Sequence, residues 1–156
     1  IGERDVTEFN YRISDSAEAH VFVGIAASSR GEAIELADAF DEAGFDAIDL
    51  TADELAKAHV RHLVGGKSAH ASDEVLYRFE FPERPGALLR FLTSMNPAWN
   101  ISLFHYRNHG ADLARVLVGM QVPTSDAEAF QEFLHVVGYR FWNESENPAY
   151  KLFLGS

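Results

Sequence analysis

Residues 6–13 alternate in polarity, with Thr7, Phe9, Tyr11 and Ile13 on one side of an extended chain and Val6, Glu8, Asn10 and Arg12 on the other. Period-2 alternation of this kind predicts a strand with one covered face. After a turn at 14–18, a second strand is expected over 19–27, rich in the β-formers Val21, Phe22, Val23 and Ile25. Ser29 followed by Glu32 is a capping box. Ala33, Leu36, Ala37, Phe40 and Ala43 then recur at helical spacing up to Gly44, where a helix-ending glycine belongs. Residues 45–50 read as a short third strand, so residues 1–50 form a β-β-α-β unit.

Thr51 with Glu54 opens a connector over 51–74. Its short helix turns Leu55, His59, Val60 and Leu63 inward and stops at Gly65-Gly66, before a polar loop over 68–74. Val75, Tyr77, Phe79 and Phe81 alternate as a strand. Pro85 then precedes a helix with Leu88, Leu89, Phe91, Leu92 and Met95 on its apolar side. A strand over 101–107, a turn at Asn108-His109-Gly110, a strand over 113–122, a helix over 126–137 opened by Ser125 and Glu128, and a strand over 139–143 follow. Residues 75–144 are therefore a complete β-α-β-β-α-β unit. Tyr150, Leu152 and Leu154 alternate after Asn147-Pro148 and predict a tail strand within 145–156.

The two units are copies. VTEFNYR at 6–12 matches ISLFHYR at 101–107, and VFVGI at 21–25 matches VLVGM at 116–120, both displaced by 95 positions; Gly44-Phe45 meets Gly138-Tyr139 at 94. Self-similarity at a fixed offset marks an internal repeat. The first strand and helix of the second unit have counterparts only at or before position zero, so the first unit is expected to lack both. Such a unit leaves an unpaired edge and an uncovered apolar face. The expectation is that the chain is a piece of something longer, and that the tail strand pairs with an open edge within the chain or across a dimer.

Composition narrows the function. With 13 basic and 24 acidic residues the net charge is −11, which repels nucleic-acid phosphates and anionic lipid. A single-stranded-RNA module of the same β-α-β-β-α-β order is disfavoured on that ground and by the lack of its aromatic-basic signature. There is no cysteine, so disulfides, thiol nucleophiles and thiolate metal sites are all excluded. No apolar run approaches the roughly 20 residues of a membrane helix, and the first residues lack a signal pattern, so a cytoplasmic protein is expected. Hydrophobic content of 47% with 12% aromatic suffices for a packed core.

Taken together, VTEFNYR, HVRHLVGG (59–66), RFEFPERPGALLRFL (78–92), NISLFHYRNHG (100–110) and NPAYKLFLG (147–155) resemble the C-terminal regulatory domain of biosynthetic threonine deaminase (threonine dehydratase) over essentially the whole chain. The resemblance implies an α+β fold of tandem ACT-like (ferredoxin-like) subdomains with antiparallel sheets. It also implies isoleucine as feedback inhibitor and valine as antagonist, and a homo-oligomeric parent, dimer or tetramer. Pyridoxal phosphate chemistry on threonine would belong to a catalytic domain that this chain does not contain. The family's effector-binding tyrosines correspond to Tyr11 and Tyr106, and its feedback-relieving positions to the helix 86–92, Arg107 and Arg61. Effector contacts are thus expected at Tyr106, Tyr11, Gly86, Ala87, Leu88 and Leu92, with Arg107 and Arg61 coupling or interface residues.

The residues themselves bear on these roles. An amino-acid effector needs partners for its ammonium and carboxylate and a slot for a branched side chain, where one methylene is worth about 1–3 kcal/mol. Tyr106 offers a hydroxyl and a flat wall, and Leu88 and Leu92 the slot. Pro85-Gly86 at a helix start offers free N–H groups to a carboxylate. The plain alternative is that Phe104 and Tyr106 are core and Arg107 a solvated strand residue on the opposite face. His59 and His62, or His105 and His109, make no recognisable metal site. Lys57, Lys67 and Lys151 lack a Schiff-base setting, and no nucleophile elbow is present, so the chain itself is expected to be non-catalytic. A ligand-free assembly module is the competing reading.

Overall fold

Both copies of the repeated motif form strands, and they pair with each other. In the computed structural model, which describes residues 1–2, 4–56, 62, 65–107 and 113–155, β1 (Val6–Arg12) runs antiparallel to the strand Asn100–Arg107. Phe9 stands opposite Tyr106, Asn10 opposite His105 and Tyr11 opposite Phe104. Asn10 and His105 are equivalent in the repeat, so a local two-fold axis runs between them. The units therefore join edge to edge.

The result is one six-stranded antiparallel sheet in an α+β fold. Following β1 are β2 (Val21–Ile25), α1 (Arg30–Glu42), β3 (Glu74–Pro82), α2 (Ala87–Ser94), β4 (Asn100–Arg107), β5 (Leu113–Gln121), α3 (Ala127–Val137), β6 (Arg140–Asn143) and α4 (Pro148–Phe153). Strand order is β2-β1-β4-β5-β3-β6. The last four strands with α2 and α3 follow one another along the chain in the order β-α-β-β-α-β. Their core is aromatic: Phe91, fully buried, has the rings of Phe79, Phe81 and Phe133 within 5.4 Å.

Repetition extends to irregularities. The β1–β2 ladder shifts register between Val6 and Glu8, and the β4–β5 ladder between Ile101 and Leu103, the same place in each copy. Gly24 and Gly119, also equivalent, lie beside these bulges, where a side chain would strike Thr7 or Ser102.

Several expected elements differ. Residues 45–50 are not a strand, and Phe45 and Ile48 are exposed. Their counterpart β6 is laddered to β3, whereas among the described residues no strand lies beside 45–50 in the corresponding place. The tail forms α4 instead of a strand: Asn147 accepts the Ala149 N–H at 2.9 Å, and Pro148 suits the first helical turn. The spacing of Tyr150 and Leu154 fits a helix equally well, and both pack against Leu76 and Leu103. Ser29 caps α1 as expected, whereas α3 begins after Asp126 with no side-chain cap. Asp126 instead accepts the Trp99 indole N–H at 2.9 Å. Asp53, not Thr51, caps the start of the connector, at 2.8 Å from the Ala56 nitrogen. His59, Val60, Arg61, Leu63 and the turn at 108–110 fall outside the described residues.

Candidate functional site

The tyrosines of the motif line two neighbouring cavities on the helical face of the sheet. Tyr106 borders one of about 540 Å³. Its walls are Ile1, Gly2, Arg4, Asp5 and Val6 from the first unit, and 81–89 with Leu92 from the second. Tyr11 borders the other, of about 630 Å³, with Phe9, Val21, Phe104, Leu88, Leu92, Met95 and residues 96, 97 and 99–101. The two walls correspond: adding 95 to residues 1, 2, 4, 5 and 6 gives 96, 97, 99, 100 and 101. They are the same cavity generated twice by the local two-fold, with one difference. The loop from β3 to α2 closes the Tyr106 cavity, and among the described residues no such loop borders the Tyr11 cavity.

That loop has its shape for a physical reason. Gly86 sits at φ 84°, left-handed backbone that glycine accepts readily, and forms the N-cap of α2 without a side-chain capping bond. Buried Ala87 follows, its carbonyl accepting the Tyr139 hydroxyl at 3.0 Å, which fixes the helix start. Leu88 and Leu92 then stand between the cavities and line both.

The Tyr106 cavity has opposite poles. Tyr106 donates its hydroxyl to Glu83 at 3.2 Å, and burial together with the Glu83 and Asp5 carboxylates pushes its pKa up to about 12. It is a neutral donor at physiological pH. Glu83 and Asp5 thus form a pole suited to a cation, and the uncapped start of α2 one suited to an anion. Leu88, Leu92 and Phe81 supply apolar wall between them. Burial also raises the pKa of Tyr11, with Arg12 pulling the other way.

All six expected effector residues therefore lie at these cavities: Tyr106, Gly86 and Ala87 at one, Tyr11 at the other, Leu88 and Leu92 at both. Phe104 is core as well as wall. Arg107 lies on the opposite face and reaches Glu8 of the first unit, 3.9 Å away. Arg61 lies outside the described residues. Sequence reasoning missed Glu83, Asp5 and the paired walls at 1, 2, 4–6 and 96, 97, 99–101; the fixed displacement of 95 was the available signal. It also missed that β1 buries its polar side: Glu8, Asn10 and Arg12 are buried, whereas Phe9 and Tyr11 are half-buried. Among the described residues, no cluster of three or more His, Asp or Glu could hold a metal, and no helix is long and apolar enough to cross a membrane.

Known proteins are similar to this chain in sequence. The family described as the C-terminal regulatory domain of threonine dehydratase matches residues 1–60 and 65–154. The chain belongs to that family. It is 58% identical over 154 residues to the biosynthetic L-threonine dehydratase IlvA of Burkholderia multivorans and 47% identical over 156 residues to that of Escherichia coli. It is 42% identical to the mitochondrial threonine dehydratase of Saccharomyces cerevisiae. In each case 99% of this chain is covered, but only 28–30% of the relative. As a threonine dehydratase regulatory domain, the chain thus represents less than a third of those proteins' length. Among the described residues, no lysine lines either tyrosine cavity, and Lys67 and Lys151 are exposed.

Proposed function

We propose that this domain senses branched-chain amino acids in the cavities flanking α2, isoleucine acting as inhibitor and valine as antagonist. It thereby controls a pyridoxal phosphate-dependent catalytic domain that converts L-threonine to 2-oxobutanoate and ammonia in isoleucine biosynthesis. The observation that carries this reading is the paired cavity, made twice by one repeat, with a tyrosine in each and α2 between them. In the Tyr106 cavity, the ammonium group faces Glu83 and Asp5, the carboxylate faces the N–H groups at the start of α2, and the branched chain packs on Leu88 and Leu92. Isoleucine and valine differ by one methylene, so opposite effects require that each favour a different state of the domain.

The working division is residues 1–50 and 75–144 as the two ACT-like units, 51–74 as connector and 145–156 as tail. A groove of about 310 Å³ between β2, α1 and residues 47–51 is where a counterpart of β3 and α2 would complete the first unit. The parent enzyme is taken to be a cytoplasmic homo-oligomer, dimer or tetramer, with no nucleic-acid or membrane partner. Titration calorimetry with isoleucine and valine tests the reading. Tyr106→Ala and Leu88→Phe should each weaken isoleucine at least roughly tenfold with the melting midpoint nearly unchanged. Absence of heat with wild-type protein at millimolar ligand would refute it.

A further inference from the structure

Arg12, 6% exposed, ends the first copy of the motif and enters a buried network on the face away from the cavities. Nε donates to the Gly66 carbonyl at 2.9 Å, and Nη1 to the Glu74 carboxylate and to the Ser102 carbonyl at 3.4 Å. Nη2 donates to the second Glu74 oxygen at 3.3 Å and to the Leu154 carbonyl at 2.7 Å. Glu74, its side chain 1% exposed, also accepts the hydroxyls of Ser102 and, at 2.7 Å, Tyr150. Leu154 is the C-cap of α4, where unpaired carbonyls carry the negative end of the helix dipole, so the guanidinium is held there by charge as well. One side chain thus binds β1 to β3, β4, residue 66 and the tail helix.

A buried ion pair adds little net stability over apolar packing, but it penalises any arrangement that separates its charges. It therefore selects geometry more than it strengthens the fold. The selected geometry belongs to the seam between units. Tyr11 precedes Arg12 in β1, and their side chains leave opposite faces of the sheet, one into the cavity and one into the network. A shift of β1 at Tyr11 consequently moves Arg12 against Glu74 and Leu154. The repeat-equivalent Arg107 is less enclosed and meets Glu8 only at 3.9 Å, so the copies have diverged here.

We propose that Arg12 and Glu74 are a positioning pair: they fix the seam and tie α4 to it, so that occupancy of the Tyr11 cavity alters how α4 is docked. This rests on the reading of that cavity as an effector site. Hydrogen exchange on the full-length enzyme tests it, at the amides of Lys151, Leu154 and Gly155, which bond to Asn147 and Tyr150 carbonyls. Without ligand, Glu74→Gln and Tyr150→Phe should each lower protection at these amides roughly tenfold while β5 keeps its own. Saturating isoleucine should change α4 protection about threefold or more in wild type and leave the variants unmoved. If Glu74→Gln unfolds the domain, seen as equal loss in β5, Tyr150→Phe decides alone. Unchanged α4 protection in the variants overturns the proposal. So does isoleucine that gives binding heat but leaves wild-type α4 unmoved, a result that spares the effector reading; no heat at all overturns both.

Discussion

Gly119→Ala puts the seam under a defined load. A methyl group there would stand 2.7 Å from a Glu74 carboxylate oxygen, 2.9 Å from the Ser102 hydroxyl and 3.0 Å from the Leu103 Cβ. Glu74 cannot retreat, because Arg12, Ser102 and Tyr150 all bind its carboxylate and its side chain is buried. The methyl must therefore separate the ion pair, and breaking a buried pair costs about 3–5 kcal/mol. Restricting the unfolded chain returns about 0.4–1 kcal/mol. The net loss should be about 2–4.5 kcal/mol, or roughly 4–18 °C in melting temperature for a chain of this size. Urea denaturation followed by tryptophan fluorescence measures it. The internal control is Gly24→Ala, the same position in the other copy. There the methyl meets the Thr7 hydroxyl at 2.7 Å and the Glu8 Cβ at 3.2 Å. Thr7 is exposed and its hydroxyl can turn away, so the cost should stay below about 1.5 kcal/mol. Gly119→Ala in a Glu74→Ala background should likewise cost much less than in wild type. Equal losses at Gly24 and Gly119, or additivity with Glu74→Ala, would refute the reasoning.

Two further predictions concern the core and α1. Phe91→Ala empties the centre of the aromatic cluster and should cost about 3–5 kcal/mol; thermal melts by circular dichroism check it, and a loss under about 2 kcal/mol would mean that the neighbouring rings collapse into the space. Glu32 accepts from the Ser28 amide and hydroxyl and from Arg4, and these bonds lower its pKa from 4.5 to about 2. A depressed carboxyl stabilises fully above its unfolded pKa and loses that contribution as pH falls through the folded value. The melting difference between wild type and Glu32→Gln should therefore be constant above about pH 4.5 and vanish toward pH 2; a difference that persists at pH 2 would exclude the carboxylate as its source.

Much of this architecture was legible because local signals agreed with one another. The displacement of 95 located the repeat, and alternation placed β1, β3, β4 and β5 within a residue or two. Failures came where tertiary partners decide. Residues 45–50 have strand-like composition, but a strand needs a neighbour, and none of the described residues lies beside them as β3 lies beside β6. The tail alternates over Tyr150, Leu152 and Leu154, yet Asn147-Pro148 was the stronger cue, and only the Leu76–Leu103 surface shows which face it buries. At the cavities, the tyrosines and α2 came from resemblance to a family. Glu83 and residues 1, 2 and 4–6 emerged only once the two-fold axis showed which walls face each other. Arg12 was visible as a repeated residue, but nothing local reveals that Glu74, 62 positions away, neutralises it.

Because Leu88 and Leu92 belong to both cavities, α2 is a partition and not the wall of a single room. Any side chain enlarged on it, and any ligand that presses against it, takes volume from the compartment behind. Under the proposed reading, the two compartments therefore cannot be titrated as separate sites. If amino acids bind as proposed, affinity at one is a function of occupancy at the other even if the sheet itself never moves, and a substitution that relieves inhibition by one amino acid should change the response to its antagonist as well.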